Sequence, residues 1–273
     1  MSDPLRLVVR RGGVVESVHR VHVRGDGWSY GDDVVCFLRS SLKPIQAIPL
    51  VEAYDDLDAD EIAIAAASHQ AEPAQLAAVR KLLARAGAAV DDLENGTQPG
   101  RPEGKLGHNC SGKHAGMLAA CRANGWRFEG YRLPEHPLQQ RIATLTGAAP
   151  TAVDGCGVPT FALRLFEMAT LFLRTPARVR EAMRARPELV GGRGADDTDL
   201  MRGAPGWYAK RGAEGLFCAA NDDGRTLALK VEDGSTRAVR PALAHLLPGT
   251  IEVPPIRNSR SEAVGDYVVE SPP

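Results

Sequence analysis

Apolar and polar positions alternate through the first forty residues. Leu5-Arg6-Leu7-Val8-Val9, Val14-Val15-Glu16-Ser17-Val18, Val21-His22-Val23 and Val34-Val35-Cys36-Phe37-Leu38 are short runs, parted by Arg11-Gly12-Gly13 and Gly25-Asp26-Gly27. β-Branched runs punctuated by Gly and Asp predict consecutive antiparallel strands. A second block, Gly215 to Ala220 and Thr226 to Val231, flanks Asn221-Asp222-Asp223-Gly224. That tract predicts a hairpin, because Asn, Asp and Gly tolerate positive φ.

Between the two blocks the period becomes helical. Pro44 to Glu52 and the alanine-rich stretch Glu61 to Ala67 read as helices. Leu76, Val79, Leu83 and Ala86 share one face that stops at Gly87. Further faces are Met117, Leu118 and Cys121, stopping near Gly125; Leu138, Ile142 and Leu145; and Phe161, Leu165, Met168 and Phe172. Pro176 to Met183 makes another helix. The expected class is α+β, an antiparallel sheet formed by the N- and C-terminal strands with flanking helices and a helical part. Strands are expected at about 5–38 and 205–270 and helices mainly at 44–186, as one unit over 1–273. Asp266 to Val269 offers an added edge strand.

Composition narrows the classes of function. Thirty-three Lys+Arg against thirty-four Asp+Glu leave a net charge of −1, without the basic excess of a nucleic-acid-binding protein. Aromatic residues make up 5%, too few for base-stacking platforms. No apolar run is long enough to span a membrane, and Met1-Ser2-Asp3-Pro4-Leu5-Arg6 does not read as a signal peptide. The five cysteines, Cys36, Cys110, Cys121, Cys156 and Cys218, are odd in number and sparse, unlike a disulfide framework. A cytoplasmic setting is expected, with some of these thiols free to ligate a metal.

Four constellations carry chemistry. Arg39-Ser40-Ser41-Leu42-Lys43-Pro44 places Ser-x-x-Lys where a strand gives way to a helix, so hydroxyl and amine share a face. A lysine buried there loses its proton easily and can take one from a serine. Ser68, His69 and Glu72 cluster between two apolar helices, where the bland alternative is helix capping. His108-Asn109-Cys110-Ser111-Gly112-Lys113-His114 opens a helix, and Asp154-Gly155-Cys156-Gly157 is a glycine-framed turn. Two thiolates and a nitrogen donor from these segments would suffice for a tetrahedral Zn²⁺ site with one open position, where the bland alternative is two buried structural cysteines. Gly112-Lys113 lacks the upstream glycine of a phosphate-binding loop, so nucleotide binding is excluded. Lys230 falls in the apolar strand Thr226 to Val231, where most such lysines are edge charges facing water but one facing a cleft would be desolvated, and Lys210 precedes a small-residue strand, as in the Lys-x-Gly element of serine β-lactamases.

Together these segments, with Pro44-Ile45-Gln46, Ala115-Gly116-Met117, Val158-Pro159, Gly212-Ala213-Glu214-Gly215 and Leu229-Lys230-Val231-Glu232-Asp233-Gly234, resemble the class 3 L-asparaginases, or asparaginase II family. The likeness runs from about Val8 to about Asp266. It implies a serine-β-lactamase-like fold with two Ser–Lys pairs, Ser40 with Lys43 and Ser68 with Lys230. It also implies zinc on Cys110, Lys113 and Cys156 with water in the open position, and a homodimer. The implied reaction is hydrolysis of the side-chain amide of L-asparagine to L-aspartate and ammonia.

On this reading Ser40 is the favoured nucleophile, because a helix start supplies oxyanion donors. Arg39 pairs with the substrate α-carboxylate. Asp154 and His114 orient the α-amino group or support the metal, and His69, Glu72 and Lys210 complete the substrate-binding set. Zinc positions the substrate and does not activate water. The alternatives are another Ser–Lys amidohydrolase acting on glutamine, another amide or a β-lactam, or a non-catalytic zinc- or amino-acid-binding protein. The chain departs from the family at Ala71, where glycine is usual, in the segment before Arg39, and in the stretch Glu94 to Gly107.

Overall fold

The computed structural model describes residues 3–149 and 151–270; Met1 and Ser2 of the opening segment lie outside them. The strands are β1 (Leu5–Arg11), β2 (Val14–Gly25), β3 (Trp28–Tyr30), β4 (Val35–Phe37), β5 (Ala152–Val153), β6 (Pro159–Thr160), β7 (Ala162–Arg164), β8 (Trp207–Arg211), β9 (Leu216–Asn221), β10 (Thr226–Val231), β11 (Ile256–Arg257) and β12 (Ala263–Glu270). The helices are α1 (Lys43–Gln46), α2 (Ile48–Ala53), α3 (Ala59–Ala65), α4 (Pro73–Ala86), α5 (Ser111–Ala123), α6 (Pro137–Thr146), α7 (Leu165–Phe172), α8 (Ala177–Ala185), α9 (Pro187–Gly191), α10 (Asp196–Gly203) and α11 (Val239–Leu246).

Strands from the two ends of the chain interleave in one antiparallel sheet of order β11-β12-β1-β2-β10-β9-β8, with β3 also on β2. The expected α+β arrangement is therefore present. Gly12 and Gly13 at φ +54° and +82° make the tight β1–β2 turn that L side chains resist. His19 Nδ1 meets the Asp233 carboxylate at 2.7 Å and ties the turn after β10 to β2. β12 is not the sheet edge, because β11 pairs outside it.

Three expectations need correction. The run Val34 to Leu38 does not join the main sheet; β4 pairs instead with β7, Cys36 opposite Leu163. That ladder claims the backbone of 162–164, so the helix expected from Phe161 begins only at Leu165. The single helix expected over Pro44 to Glu52 is a 3₁₀ turn (Arg39–Leu42) followed by α1 and α2. Pro49 has no N–H for the Ile45 carbonyl, so a continuous helix loses a bond there.

The helical layer brings distant segments to one point. α5 lies against α3 through glycines, since a Cβ at Gly112 would sit 2.3 Å from the Ile64 carbonyl oxygen and one at Gly116 would sit 2.9 Å from Ala65 Cβ. This close approach sets the start of α5 beside the chain that leaves α3. Arg211, at the end of β8, donates to the Ser68 carbonyl at 3.1 Å and fastens the sheet to the same place. Buried apolar residues from Leu5 to Ile251 form one cluster around it. Among the described residues no helix is long and apolar enough to cross a membrane.

Candidate active site

The site begins where β4 ends. Leu38 N–H bonds to the Phe161 carbonyl at 3.0 Å and Arg39 N–H to Thr160 Oγ1 at 3.3 Å. Between these anchors and the 3₁₀ turn, Arg39 adopts φ +47°. A left-handed non-glycine residue costs about 1–2 kcal/mol. Here it turns the strand abruptly, so that Arg39 pairs with the Asp154 carboxylate and Ser40 lines the pocket. Neither the Ser40 hydroxyl nor its N–H has a hydrogen-bond partner among the described residues.

Lys43 is buried, 1% exposed, and its Nζ lies 2.6 Å from the Ala67 carbonyl oxygen and 2.9 Å from Ser68 Oγ. Burial lowers its pKa, against the opposing pull of the Cys110 and Cys156 sulfurs. In its deprotonated form the amine has two hydrogens for those two acceptors and keeps a lone pair. The expected pairing is corrected here: Ser68 shares its hydroxyl with Lys43, whereas the Lys230 amine donates to the Val231 carbonyl from a half-buried place on β10.

Cys110 caps α5, and Lys113 and His114 follow in its first turn, all buried. Cys156 comes from the turn closed by Asp154 N–H to the Val158 carbonyl and Gly157 N–H to the Asp154 carbonyl, both 2.8 Å. Lys113 Nζ lies 2.9 Å from Cys156 Sγ. Cys110 Sγ lies 3.2 Å from Asn109 Oδ1. Its interaction with Cys156 lowers the Cys110 pKa well below the ordinary thiol value and raises that of Cys156, while burial opposes the shift at Cys110. Burial opposes the charge on Lys113, but the two sulfurs outweigh it and raise its pKa. His114 Nδ1 meets the Tyr131 hydroxyl at 2.6 Å, while Nε2 faces Cys156 without a well-formed hydrogen bond.

Among the described residues no three His, Cys, Asp or Glu side chains are grouped to hold a metal. The convergent set of Cys110, Lys113 and Cys156 has an amine as its third donor. Its chemistry suits a borderline-soft cation such as Zn²⁺.

Three expected substrate contacts are used elsewhere. Ser111 gives its proton to the Leu106 carbonyl at 2.6 Å, so the bond of 2.8 Å between His69 Nε2 and Ser111 Oγ has histidine as donor. Nδ1 then accepts the Ala71 N–H at 3.1 Å. Both His69 nitrogens are thus occupied, and burial drives its pKa down to about 3. Glu72 is the N-cap of α4 and accepts the Arg193 N–H. Lys210 forms a fully buried ion pair with Asp197 at 3.0 Å. Burial pulls its pKa down to about 7 against the attraction of Asp197.

The pocket, about 330 Å³, is walled by Arg39, Ser40, Cys110, Asp154 and Cys156, and also by Thr97, Gln98, His108 and Asn109. His108 and Asn109 precede Cys110 in a segment the sequence singles out, without a role of their own, whereas Thr97 and Gln98 carry no mark there. Thr97 and Gln98 belong to the irregular stretch after Glu94, which has no period and no motif to mark it. Gln98 Oε1 accepts the Asn109 N–H at 3.0 Å, which seats that stretch over the thiols.

The family described as L-asparaginase II matches this chain over residues 7–265. No curated protein matches it. Among solved structures, a beta-lactamase-like protein from Bacteroides dorei aligns over 84% of this chain and 85% of its own, at 15% identity and a TM-score of 0.40. The architecture described above rests on this chain's own strand pairing.

Proposed function

The chain belongs to the L-asparaginase II family and is an amidohydrolase, and from that premise we propose that it hydrolyses the side-chain amide of L-asparagine through a Ser–Lys apparatus in this pocket. The observation that carries the proposal is the buried Lys43 amine, hydrogen-bonded to Ser68 at 2.9 Å and three residues along the same turn from the unpartnered Ser40.

Ser40 Oγ attacks the amide carbonyl, and its proton passes to the free lone pair of Lys43. The unpartnered Ser40 N–H faces the oxyanion that forms. Lys43 returns the proton through Ser68 to the departing nitrogen, and ammonia leaves. Water then adds to the acyl-Ser40 ester by the same route, releasing L-aspartate and restoring the serine. Asp154 attracts the substrate α-ammonium, and Arg39, placed beside it, the α-carboxylate.

Cys110, Lys113 and Cys156 are the residues that would hold zinc, which when bound supplies a positive centre for seating the substrate. His114 supports the ligands. The assembly is a homodimer on this reading, supported by exposed Val35, Phe37 and Phe166 on adjoining segments.

Ammonia release from L-asparagine and L-glutamine by zinc-loaded protein tests the proposal. Release from asparagine, abolished in Ser40→Ala, is expected. Silence with asparagine in folded protein would overturn the substrate, and an unimpaired Ser40→Ala variant would overturn the nucleophile.

A further inference from the structure

Tyr131 stands in none of the motifs above, yet it is wholly buried and touches the site through His114. Its hydroxyl oxygen lies 2.9 Å from the Glu94 N–H and 2.6 Å from His114 Nδ1. The backbone N–H can only donate, so the phenol oxygen accepts from Glu94. The phenol's own proton then has one acceptor in reach, His114 Nδ1. A nitrogen that accepts carries no hydrogen. The imidazole is therefore the neutral tautomer with its hydrogen on Nε2, the buried atom that faces Cys156 without a well-formed bond.

We propose that Tyr131 is a positioning residue that fixes this tautomer, so that His114 acts as a hydrogen-bond donor to the Cys156 sulfur and not as a metal ligand. The inference rests on the metal site described under Proposed function. A histidine that ligates a metal commonly donates its other N–H to a carboxylate or carbonyl. At His114 the polarity is reversed, because the other nitrogen receives a proton. Coordination through Nε2 would require that hydrogen to move and would leave the Tyr131 proton facing an N–H. As a donor, His114 steadies negative charge on the sulfur and leaves the remaining sulfur lone pairs for the cation. Tyr131 also anchors Glu94, whose Oε1 accepts the Gly130 N–H at 2.8 Å. The stretch that brings Thr97 and Gln98 to the pocket thus starts from the same relay.

Long-range ¹H–¹⁵N correlation spectra of full-length protein labelled at histidine nitrogen test the inference, with and without zinc. The expected result is a pyrrole-type Nε2 and a pyridine-type Nδ1 at His114 in both states. A hydrogen on Nδ1 in metal-free protein, or loss of the Nε2 hydrogen on zinc binding, would overturn it. Tyr131→Phe is expected to mix the tautomers and weaken zinc binding by about 10–100-fold. His114→Gln, which keeps an amide N–H near the same place, is expected to retain one zinc; a folded His114→Gln protein without zinc would show that His114 is a ligand after all. Wild-type protein that binds no zinc would refute the metal reading instead, and the tautomer in the metal-free spectrum would still decide the role of Tyr131.

Discussion

Lys43 Nζ stands 2.9 Å from Ser68 Oγ, and the chain carbonyl just before that serine takes the amine's other hydrogen at 2.6 Å. Once deprotonated, the amine has both hydrogens held and its lone pair left over, which is the orientation a general base needs. Lys43→Met is expected to lower kcat on asparagine by about 10³-fold or more, and Ser68→Ala by about 10²–10⁴-fold. Lys43→Arg should not restore activity, because guanidinium stays protonated. Full kcat in Ser68→Ala would show that this bond only fastens the lysine.

Asp154 holds the Arg39 side chain through its carboxylate and borders the pocket. Asp154→Asn removes the charge and keeps the shape. It is expected to raise KM for asparagine by about tenfold or more, in line with the about 1.5–3 kcal/mol of a charge-assisted bond. The KM and kcat of the purified variant provide the check. A KM unchanged within twofold would place the α-ammonium elsewhere.

Ala71 occupies φ +62°, a conformation natural to glycine. Ala71→Gly removes the Cβ strain of about 1–2 kcal/mol and gives back part of it as unfolded-chain entropy. The net expectation is a gain of about 1 kcal/mol, read as a melting temperature raised by about 2–4 °C. A lower melting temperature would show that the alanine methyl contributes more than the strain removes.

Asp197 and Lys210 are buried without exposure on either side chain. Burial pushes the Asp197 carboxyl up, but Lys210 and Arg211 outweigh it and hold its pKa below the ordinary 3.8. The folded state therefore binds this proton less readily than the unfolded one. Its contribution is present above pH 3.8 and is lost as the pH falls below it. Denaturant titrations at pH 6 and pH 3 should show a smaller loss in Asp197→Asn than in wild type. Lys210→Met, which strands the carboxylate, is expected to cost about 3–5 kcal/mol at neutral pH.

Chelation should single out one pair of thiols. Burial raises Cys121 and Cys218 to about 12 and Cys36 to about 11, so these stay unreactive near neutral pH. Cys110, held well below the ordinary thiol value, and its neighbour Cys156 should react with a disulfide reagent after zinc removal and be protected when zinc is restored. Equal labelling with and without zinc would dissociate these sulfurs from the metal.

Much of the fold was legible because it follows local rules. The glycines after α4, α5 and α6 stop their helices, with Gly87, Gly125 and Gly147 all at positive φ. The interleaving of the end strands follows from apolar runs that have no other partners. The fate of residues 162–164 was not legible, because an apolar stretch suits either a helix or a strand until β4 claims its backbone. That Ser40, Cys110, Asp154 and Cys156 line one pocket, with Lys113 beside Cys156, is foreshadowed by residue type and spacing. The roles of His69, Glu72 and Lys210 could not, since Ser111, Arg193 and Asp197 saturate them from segments far away in the chain. Ala71 was the reverse case: one residue type out of place foretold a strained backbone.

The register of β1 sets Arg6 opposite Glu270, 264 positions away, and β2 takes β10 as its other neighbour. During synthesis the first two strands leave the ribosome long before either partner exists. Both edges of that hairpin, carrying exposed Val14, Val15 and Val18, must wait while more than two hundred residues are added. Ser68 and Cys110 emerge in the meantime, but Arg211, which pins the Ser68 carbonyl, arrives late. The nascent chain therefore carries these residues through much of its synthesis without the frame that holds them. Catalytic competence comes only when the C-terminal strands close the sheet.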